Sequence, residues 1–259
     1  MTKIIITTVM TMLAFVSNAQ VSEHRETGKF SKIEVQSGIE LVYTQGEEFS
    51  IKPEATNLAD LKNIITEVNG KTLKIYYPKK EENPKEEKVL KVYVSGNNVN
   101  VFKAISKAKI VFKNNVNAEE IAINVASGAS FNGILSKNKK MTLKASSGAT
   151  LIVTVDTDYL KGNFKGGAAV SLAGNAEQVY LNTSSGAFCT AKNLKSEAVS
   201  VNATTLSSIL IHVDGKFKAI SDANSSITYF GNPTEVTLAE NTFLVTNKKT
   251  TNPVAIAMD

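Results

Sequence analysis

The sequence predicts an all-β fold, a parallel β-helix or β-solenoid with coils of 18 to 20 residues, on three observations. A segment centred on a small residue recurs at that period. Three apolar columns stay in register through the copies. The chain ahead of the copies alternates apolar and polar residues over strand-length runs. Hydrophobic residues make 42% of the 259 residues and charged ones 20%, which excludes wholesale disorder and leaves enough apolar surface for a large core.

The chain starts Met1-Thr2-Lys3, is apolar apart from threonines from Ile4 to Val16, and then reads Ser17-Asn18-Ala19. A short basic start, an apolar stretch and a small-x-small site predict an export signal over residues 1–19, cleaved after Ala19. The run is shorter than the ~20 apolar residues of a membrane span. No cysteine follows it for lipid attachment. The expected location is therefore the periplasm or the cell surface, with no transmembrane span left after cleavage.

Residues 20–103 read as a strand-rich part with one short helix. Ile33-Glu34-Val35 and Ile39-Glu40-Leu41-Val42-Tyr43 alternate around Ser37-Gly38. Phe49-Ser50-Ile51 follows the Gly46 turn. Leu58, Leu61, Ile64, Ile65 and Val68 share one helical face, so a helix is expected from Asn57 to Val68. Asn57 would be its N-cap and Gly70 its stop. Leu73 to Tyr77 and Val89 to Val94 are strands again. Between them, residues 78–88 are rich in lysine and glutamate and carry two prolines, which reads as a solvated loop.

Residues 104–247 carry the repeat. Its centres are Gly128, Gly148, Gly167, Gly186, Leu206 and Asn224, so successive separations are 20, 19, 19, 20 and 18. Seven before each centre stand Ile121, Met141, Leu160, Val179, Val199 and Phe217. Five before stand Ile123, Leu143, Gly162, Leu181, Val201 and Ala219. Three after stand Phe131, Leu151, Val170, Cys189, Ile209 and Ile227. One such segment cannot bury its apolar face alone. Stacked copies can, through parallel ladders ~4.8 Å apart in which equivalent side chains form columns. Glycine at the centre suits a corner of positive φ. A leucine-rich repeat would need leucine columns, and an up-and-down barrel would show no identity at one corner. Residues 248–259 form a short tail.

An asparagine stands four before the centre in four copies: Asn124, Asn163, Asn182 and Asn202. Two roles are open to this column, a stacking amide ladder or a polar stripe that contacts sugar hydroxyls.

Other chemistry is sparse. The 29 basic residues include one arginine, Arg25, placed on a frayed N-terminus. Arginine is the residue that reads bases and phosphates bidentately, so no nucleic-acid partner is expected. Lysines are expected to coat the surface and guard strand edges. Lone Cys189 excludes a disulfide framework within the chain and is expected to be a buried, inert thiol. His24 lies in a loose stretch, and His212 on an outer face beside no fixed carboxylate. Asp156 and Asp158 read as a solvated turn, with no matching acids one coil away at about 137 or 176 and Glu177 the nearest. The aromatic residues form no evident stacking platform. No cofactor or metal is expected, and no catalytic residue.

The run from Phe30 to Tyr43, the Ser-Gly-Ala corners and the closing Ile227-Thr228-Tyr229-Phe230-Gly231-Asn232-Pro233 resemble the head GIN domain family, the secreted auto-transporter-adhesin proteins of Bacteroidetes-type bacteria. The resemblance spans roughly residues 28–247. It implies a β-helix-like fold with glycine-serine turns, no known active site and a role in adhesion. The chain departs from the family pattern in residues 78–88, and at Leu206 and Asn224, where glycine is lost and identical corner geometry is not expected to carry over by resemblance alone. The function this implies is an exported, non-enzymatic envelope protein, adhesin-like or binding, with an envelope glycan or another envelope protein as partner. The alternatives are a glycan-binding or polysaccharide-acting β-helix protein and a structural or sensory periplasmic domain.

Overall fold

A computed structural model describes residues 20–78 and 88–248. The leader expected over residues 1–19, most of the charged stretch 78–88 and nearly all of the tail 248–259 lie outside the described residues. The first elements are β1 (Val21–Ser22), β2 (Lys32–Val35), β3 (Glu40–Gln45), β4 (Ser50–Ala55), α1 (Leu58–Asn63), β5 (Ile65–Asn69), β6 (Thr72–Tyr76) and β7 (Leu90–Gly96). Then come β8 (Val101–Ala104), β9 (Lys109–Phe112), β10 (Glu120–Ala126), β11 (Ser130–Ser146), β12 (Thr150–Lys165), β13 (Ala169–Ser184) and β14 (Phe188–Ala203). The chain closes with β15 (Ser208–His212), β16 (Lys216–Ser221), β17 (Ser226–Phe230), β18 (Glu235–Leu238) and β19 (Val245–Asn247).

These strands wind into a parallel β-solenoid with two long ladders. The front ladder runs β6, β2, β8, β10, then the C-terminal halves of β11 to β14, then β16 and β18. The rear ladder runs β7, β3, β9, then the N-terminal halves of β11 to β14, then β15, β17 and β19. The sequence columns are the stacks. Ile121, Met141, Leu160, Val179, Val199 and Phe217 stand opposite one another in the front ladder. Phe131, Leu151, Val170, Cys189, Ile209 and Ile227 do so in the rear ladder. All of them are buried. The two ladders face each other across this core. Phe102 of the front lies 4.9 Å from Tyr43 and 4.7 Å from Phe112 of the rear, edge to face.

Gly162, in the front column five before the centre, leaves a gap that its neighbours fill. A Cβ there would stand 2.5 Å from the Phe164 ring and 2.7 Å from Leu181. The aromatic ring two residues on supplies the volume that the glycine omits.

The corner joining front to rear is a two-residue turn with both residues left-handed. The pairs Ser127-Gly128, Ser147-Gly148, Gly166-Gly167 and Ser185-Gly186 all have φ between 53° and 74°. This is the type I′ geometry, and the Ala149 N–H closes it onto the Ser146 carbonyl at 3.3 Å. Each corner also bonds to the next coil. The N–H of Gly128 donates to the Ser147 carbonyl, Gly148 to Gly166, Gly167 to Ser185 and Gly186 to Thr205, at 2.9 to 3.0 Å. The residue after the glycine points inward and is small: Ala129, Ala149, Ala168 and Ala187 are all buried.

The two glycine-free corners behave differently from each other. Thr205-Leu206 keeps the left-handed pair (φ 55° and 62°), so the corner survives the loss of glycine. Its side chain is thrown outward, 73% exposed. At Asn224 the geometry does change. There the Asp222 carboxylate accepts from the N–H groups of Thr205 (2.6 Å) and Asn224 (3.1 Å). The buried alanines give way to Ser207 and Ser225. The Ser207 hydroxyl reaches the Thr183 carbonyl at 3.1 Å, and that of Ser225 accepts from the Ser207 N–H at 3.2 Å, which satisfies polar groups inside the corner.

The N-terminal end is closed by antiparallel elements: β5 on β6, β4 on β7 and β1 on β4. Two expectations are corrected here. The helix has Asn57 as its N-cap, with Oδ1 accepting from the Asp60 N–H at 2.8 Å, but it ends at Asn63 and not at Val68. Ile64 is the C-cap, and the β-branched Ile65, Thr66 and Val68 that follow pair with β6 as a hairpin. Gly70 (φ 60°) turns that hairpin instead of stopping a helix. Nor is Arg25 frayed. Its guanidinium donates to the carbonyls of Ile64 (2.6 Å) and Leu61 (3.1 Å), filling the C-terminal end of α1. Asp60 is buried beneath the helix, bonded by the Tyr77 hydroxyl at 2.7 Å.

Backbone sign, not space, decides the corner. A Cβ at Gly148 meets nothing within 4 Å, yet Gly148→Ala is expected to cost about 1 kcal/mol in urea unfolding, because an L-residue pays for a left-handed φ. Leu206→Gly is expected to gain up to about the same amount. Equal stability of all three proteins would refute the argument.

Candidate binding face

A two-residue period turns alternate residues of the front ladder outward. The four asparagines share one outward column, in the order Asn124, Lys144, Asn163, Asn182, Asn202. One amide pair is made within it, Asn182 Nδ2 to Asn163 Oδ1 at 3.3 Å. Asn202 Oδ1 has no protein partner, so the column is an interrupted ladder. Beside it runs Thr142, Lys161, Tyr180 and Ser200, and beyond that Lys140, Tyr159, Gln178 and Ala198.

From β11 to β14 these outward columns hold Lys140, Lys144 and Lys161, the next column (Ser146, Lys165, Ser184) adds Lys165, and none of the four columns holds a carboxylate over those strands; Glu120 on β10 faces Lys140 and Glu235 on β18 faces Lys216. Lys216 and Lys218 on β16 extend the set. None of these six is ion-paired among the described residues; the lysine pairs that form are at Lys88, Lys91, Lys103, Lys109 and Lys139. Between Glu120 and Glu235 the face is therefore a positive sheet with hydroxyls and amides between its charges. A groove of about 470 Å³ follows the asparagine column, lined by Asn124, Lys144, Asn163, Lys165 and Asn182.

A stacking pair appears where none was expected. Tyr159 and Tyr180 lie with ring centroids 5.2 Å apart and planes 32° off parallel. Tyr180 is 40% exposed. The signal for the pair is a separation of 21, one 19-residue coil plus two along the strand, which places the rings diagonally on one face.

The acids at the opposite corner also differ from expectation. Thr157 faces Ala176 and Tyr159 faces Gln178, which sets Asp158 beside Glu177. Ala176 faces Ser196 and Gln178 faces Ala198, which sets Glu177 beside Glu197. Acids therefore do recur one coil away from Asp158. They rim a groove of about 640 Å³ together with Asp156, Asp214 and Lys195. No group of three or more His, Cys, Asp or Glu among the described residues converges to hold a metal ion.

His212 does have a fixed carboxylate. Its Nε2 lies 2.8 Å from Asp214 Oδ2, and Asp214 Oδ1 accepts from the Asn232 N–H at 3.4 Å. Two residues apart on an extended chain is the same face, so this pair was readable from spacing. The His212 hydrogen bond holds the Asp214 carboxyl below its ordinary range, helped by the Asn232 N–H. No hydroxyl or thiol among the described residues bonds to His212. Cys189 is fully buried, and burial pushes its thiol up to about 12. His24 is exposed but lies in a segment held to β4 by the Glu23 and Arg25 N–H groups.

Residues 29–233 match the family model described as "Putative auto-transporter adhesin, head GIN domain". No curated protein matches the chain significantly. Several solved structures share the fold. A "putative adhesin" from Parabacteroides merdae superposes with a TM-score of 0.76 at 19% identity, covering 89% of this chain and 94% of its own. A "putative adhesin" from Parabacteroides distasonis gives 0.77 at 16%, covering 89% and 97%. A "Putative lipid binding protein" from the same species gives 0.75 at 13%, covering 88% and 96%. No helix among the described residues is long and apolar enough to cross a membrane.

Two outcomes follow from the titratable groups. Cys189 is expected to resist a thiol reagent at pH 8 in the native protein and to react fully in denaturant; rapid native labelling would contradict its burial. Asp214 has a folded pKa below its unfolded value, so its contribution to stability is present above about pH 4 and is lost as pH falls through the folded value. Asp214→Asn should thus be less stable than the parent near neutrality. The gap should close in acid when unfolding is followed across pH.

Proposed function

The chain belongs to the head GIN domain family, and on that footing we propose that it is an exported, non-enzymatic binding protein of the cell envelope whose front face holds an acidic glycan. The observation that carries this is the front ladder itself. Lys140, Lys144, Lys161 and Lys165 share a rigid sheet with Asn163, Asn182 and the Tyr159–Tyr180 pair, with no carboxylate among them. Successive rungs offer donors at a regular spacing of ~4.8 Å, which suits an extended polymer better than a compact ligand. Lysine ammonium groups attract uronate or sulfate groups, amides bond to sugar hydroxyls, and a tyrosine ring packs against the apolar face of a sugar.

Asn124, Asn163, Asn182 and Asn202 are the proposed contact stripe, with Lys144 inside it. The front face offers few large apolar side chains, with Tyr180 and Ile220 the main ones exposed. That favours a glycan over a lipid, although one structural neighbour is described as lipid binding. Export rests on the leader expected over residues 1–19, and a secreted protein starting at Gln20 by intact mass would support it.

The test is binding of residues 20–259 to immobilised acidic and neutral polysaccharides at low and moderate salt, with anionic vesicles as a separate arm. Saturable binding to acidic polysaccharide that weakens with salt without vanishing is expected. Lys144→Glu with Lys161→Glu, and separately Tyr180→Ala, should each weaken it about ten-fold, the equivalent of 1.4 kcal/mol. Binding that disappears at moderate salt and ignores Tyr180→Ala would reduce the face to lysine electrostatics. Binding to vesicles alone would replace the glycan by lipid.

A further inference from the structure

The two ends of the solenoid are finished differently. At the N-terminal end, β5 closes the front ladder antiparallel, and residues 21–25 lie across the edge of β4 with Arg25 pinned to α1. At the other end, β18 and β19 have no further strand beyond them among the described residues. Val236 and Leu238 continue the buried front columns from Phe217 and Ala219. They are nevertheless 45% and 50% exposed, with no further coil over them among the described residues. Phe243 and Leu244 are exposed beside them.

This edge is also lightly guarded. Elsewhere the chain is coated with lysine, yet Glu235-Val236-Thr237-Leu238 and Val245-Thr246-Asn247 hold neither lysine nor proline, and Glu235 is their one charge, with Pro233 and Lys248 at the margins. An open core flanked by two lightly guarded strand edges is a pairing surface.

We propose that this end pairs with the same end of a second copy, forming a closed two-fold dimer. A two-fold axis perpendicular to the solenoid sets β18 antiparallel to β18 and β19 antiparallel to β19 of the second copy, so both ladders continue across the junction. Parity restricts the register, since inward residues must meet inward residues. Pairing Val236 with Leu238 of the second copy does so and puts Thr237 on the axis. The area is sufficient. Strand rise, a sheet spacing of ~10 Å and the outward side chains of both ladders set one coil's cross-section at roughly 25 Å by 20 Å, so the contact buries about 500 Å² per copy and about 1,000 Å² in all, the threshold for a specific interface. The contact is isologous and the other ends are closed, so assembly stops at two. The same axis leaves both front faces on one side, doubling the length of that face.

The test is sedimentation equilibrium of residues 20–259, wild type and with Leu238→Lys. Leu238 is exposed in the single chain, so this variant should fold; Ile152→Lys, on the outer rear face, is the matched control. A dimer that Leu238→Lys weakens at least ten-fold and Ile152→Lys leaves intact supports the proposal. Thr237→Cys should then cross-link two copies on mild oxidation. A monomer at 100 μM, an open-ended polymer, or a dimer indifferent to Leu238→Lys would overturn it. Dimerisation seen only after removal of residues 249–259 would assign the edge to that segment and overturn it equally.

Discussion

The left-handed corner pair is the constraint on which the rest of this solenoid depends. An L-residue disfavours that conformation by about 1–2 kcal/mol, and the chain asks for it coil after coil. Two gains offset the cost. The corner is tight enough to return the chain to the opposite ladder within two residues. It also leaves an N–H directed at the corner carbonyl of the next coil. With corners bonded to corners and strands to strands, coils stack in one register, and columns of like side chains follow. Glycine recurs at the second corner position because it has no Cβ to strain there, and serine precedes it in three of the four glycine corners.

A fixed register makes the surface periodic, and that shapes the functional reading. Along the front face, neighbouring residues come from positions about 19 apart, so a stripe of lysines or amides is assembled one residue per coil. Binding capacity is spread over a flat face and not gathered in a deep cavity. This suits a polymer, whose repeating groups can meet repeating side chains. The core is correspondingly tolerant of local substitution, as when Phe164 occupies the space over Gly162 or hydroxyls replace alanines at Ser207 and Ser225. A coil needs a filled section, not a particular residue.

Features that follow the period were legible beforehand, while those set by position between coils were not. The apolar columns, the N-cap at Asn57 and the burial of Cys189 come from local pattern and volume. The end of α1 was misjudged because a helical stripe through Ile64, Ile65 and Val68 competes with β-branched preference, and pairing with β6 decides between them. Arg25 gave no sign of its role, since its partners lie 36 and 39 residues away. The Tyr159–Tyr180 pair and the Asp158–Glu177–Glu197 alignment needed the coil offset applied from each residue, with the change in register between Ser171 and Ala173 included. The His212–Asp214 pair was the one local signal passed over.

By itself, the sequence determined the coil, because period, inward columns and corner residues are short-range properties that any stacking must respect. It also determined the charge type, with lysine standing almost alone among the basic residues. Only the tertiary structure decided which lysines share a face without acids, which rings meet, and which end of the rod is closed. These depend on the register between coils and on long-range contacts such as that of Arg25 with α1, and a contact between distant residues leaves no periodic trace in the chain.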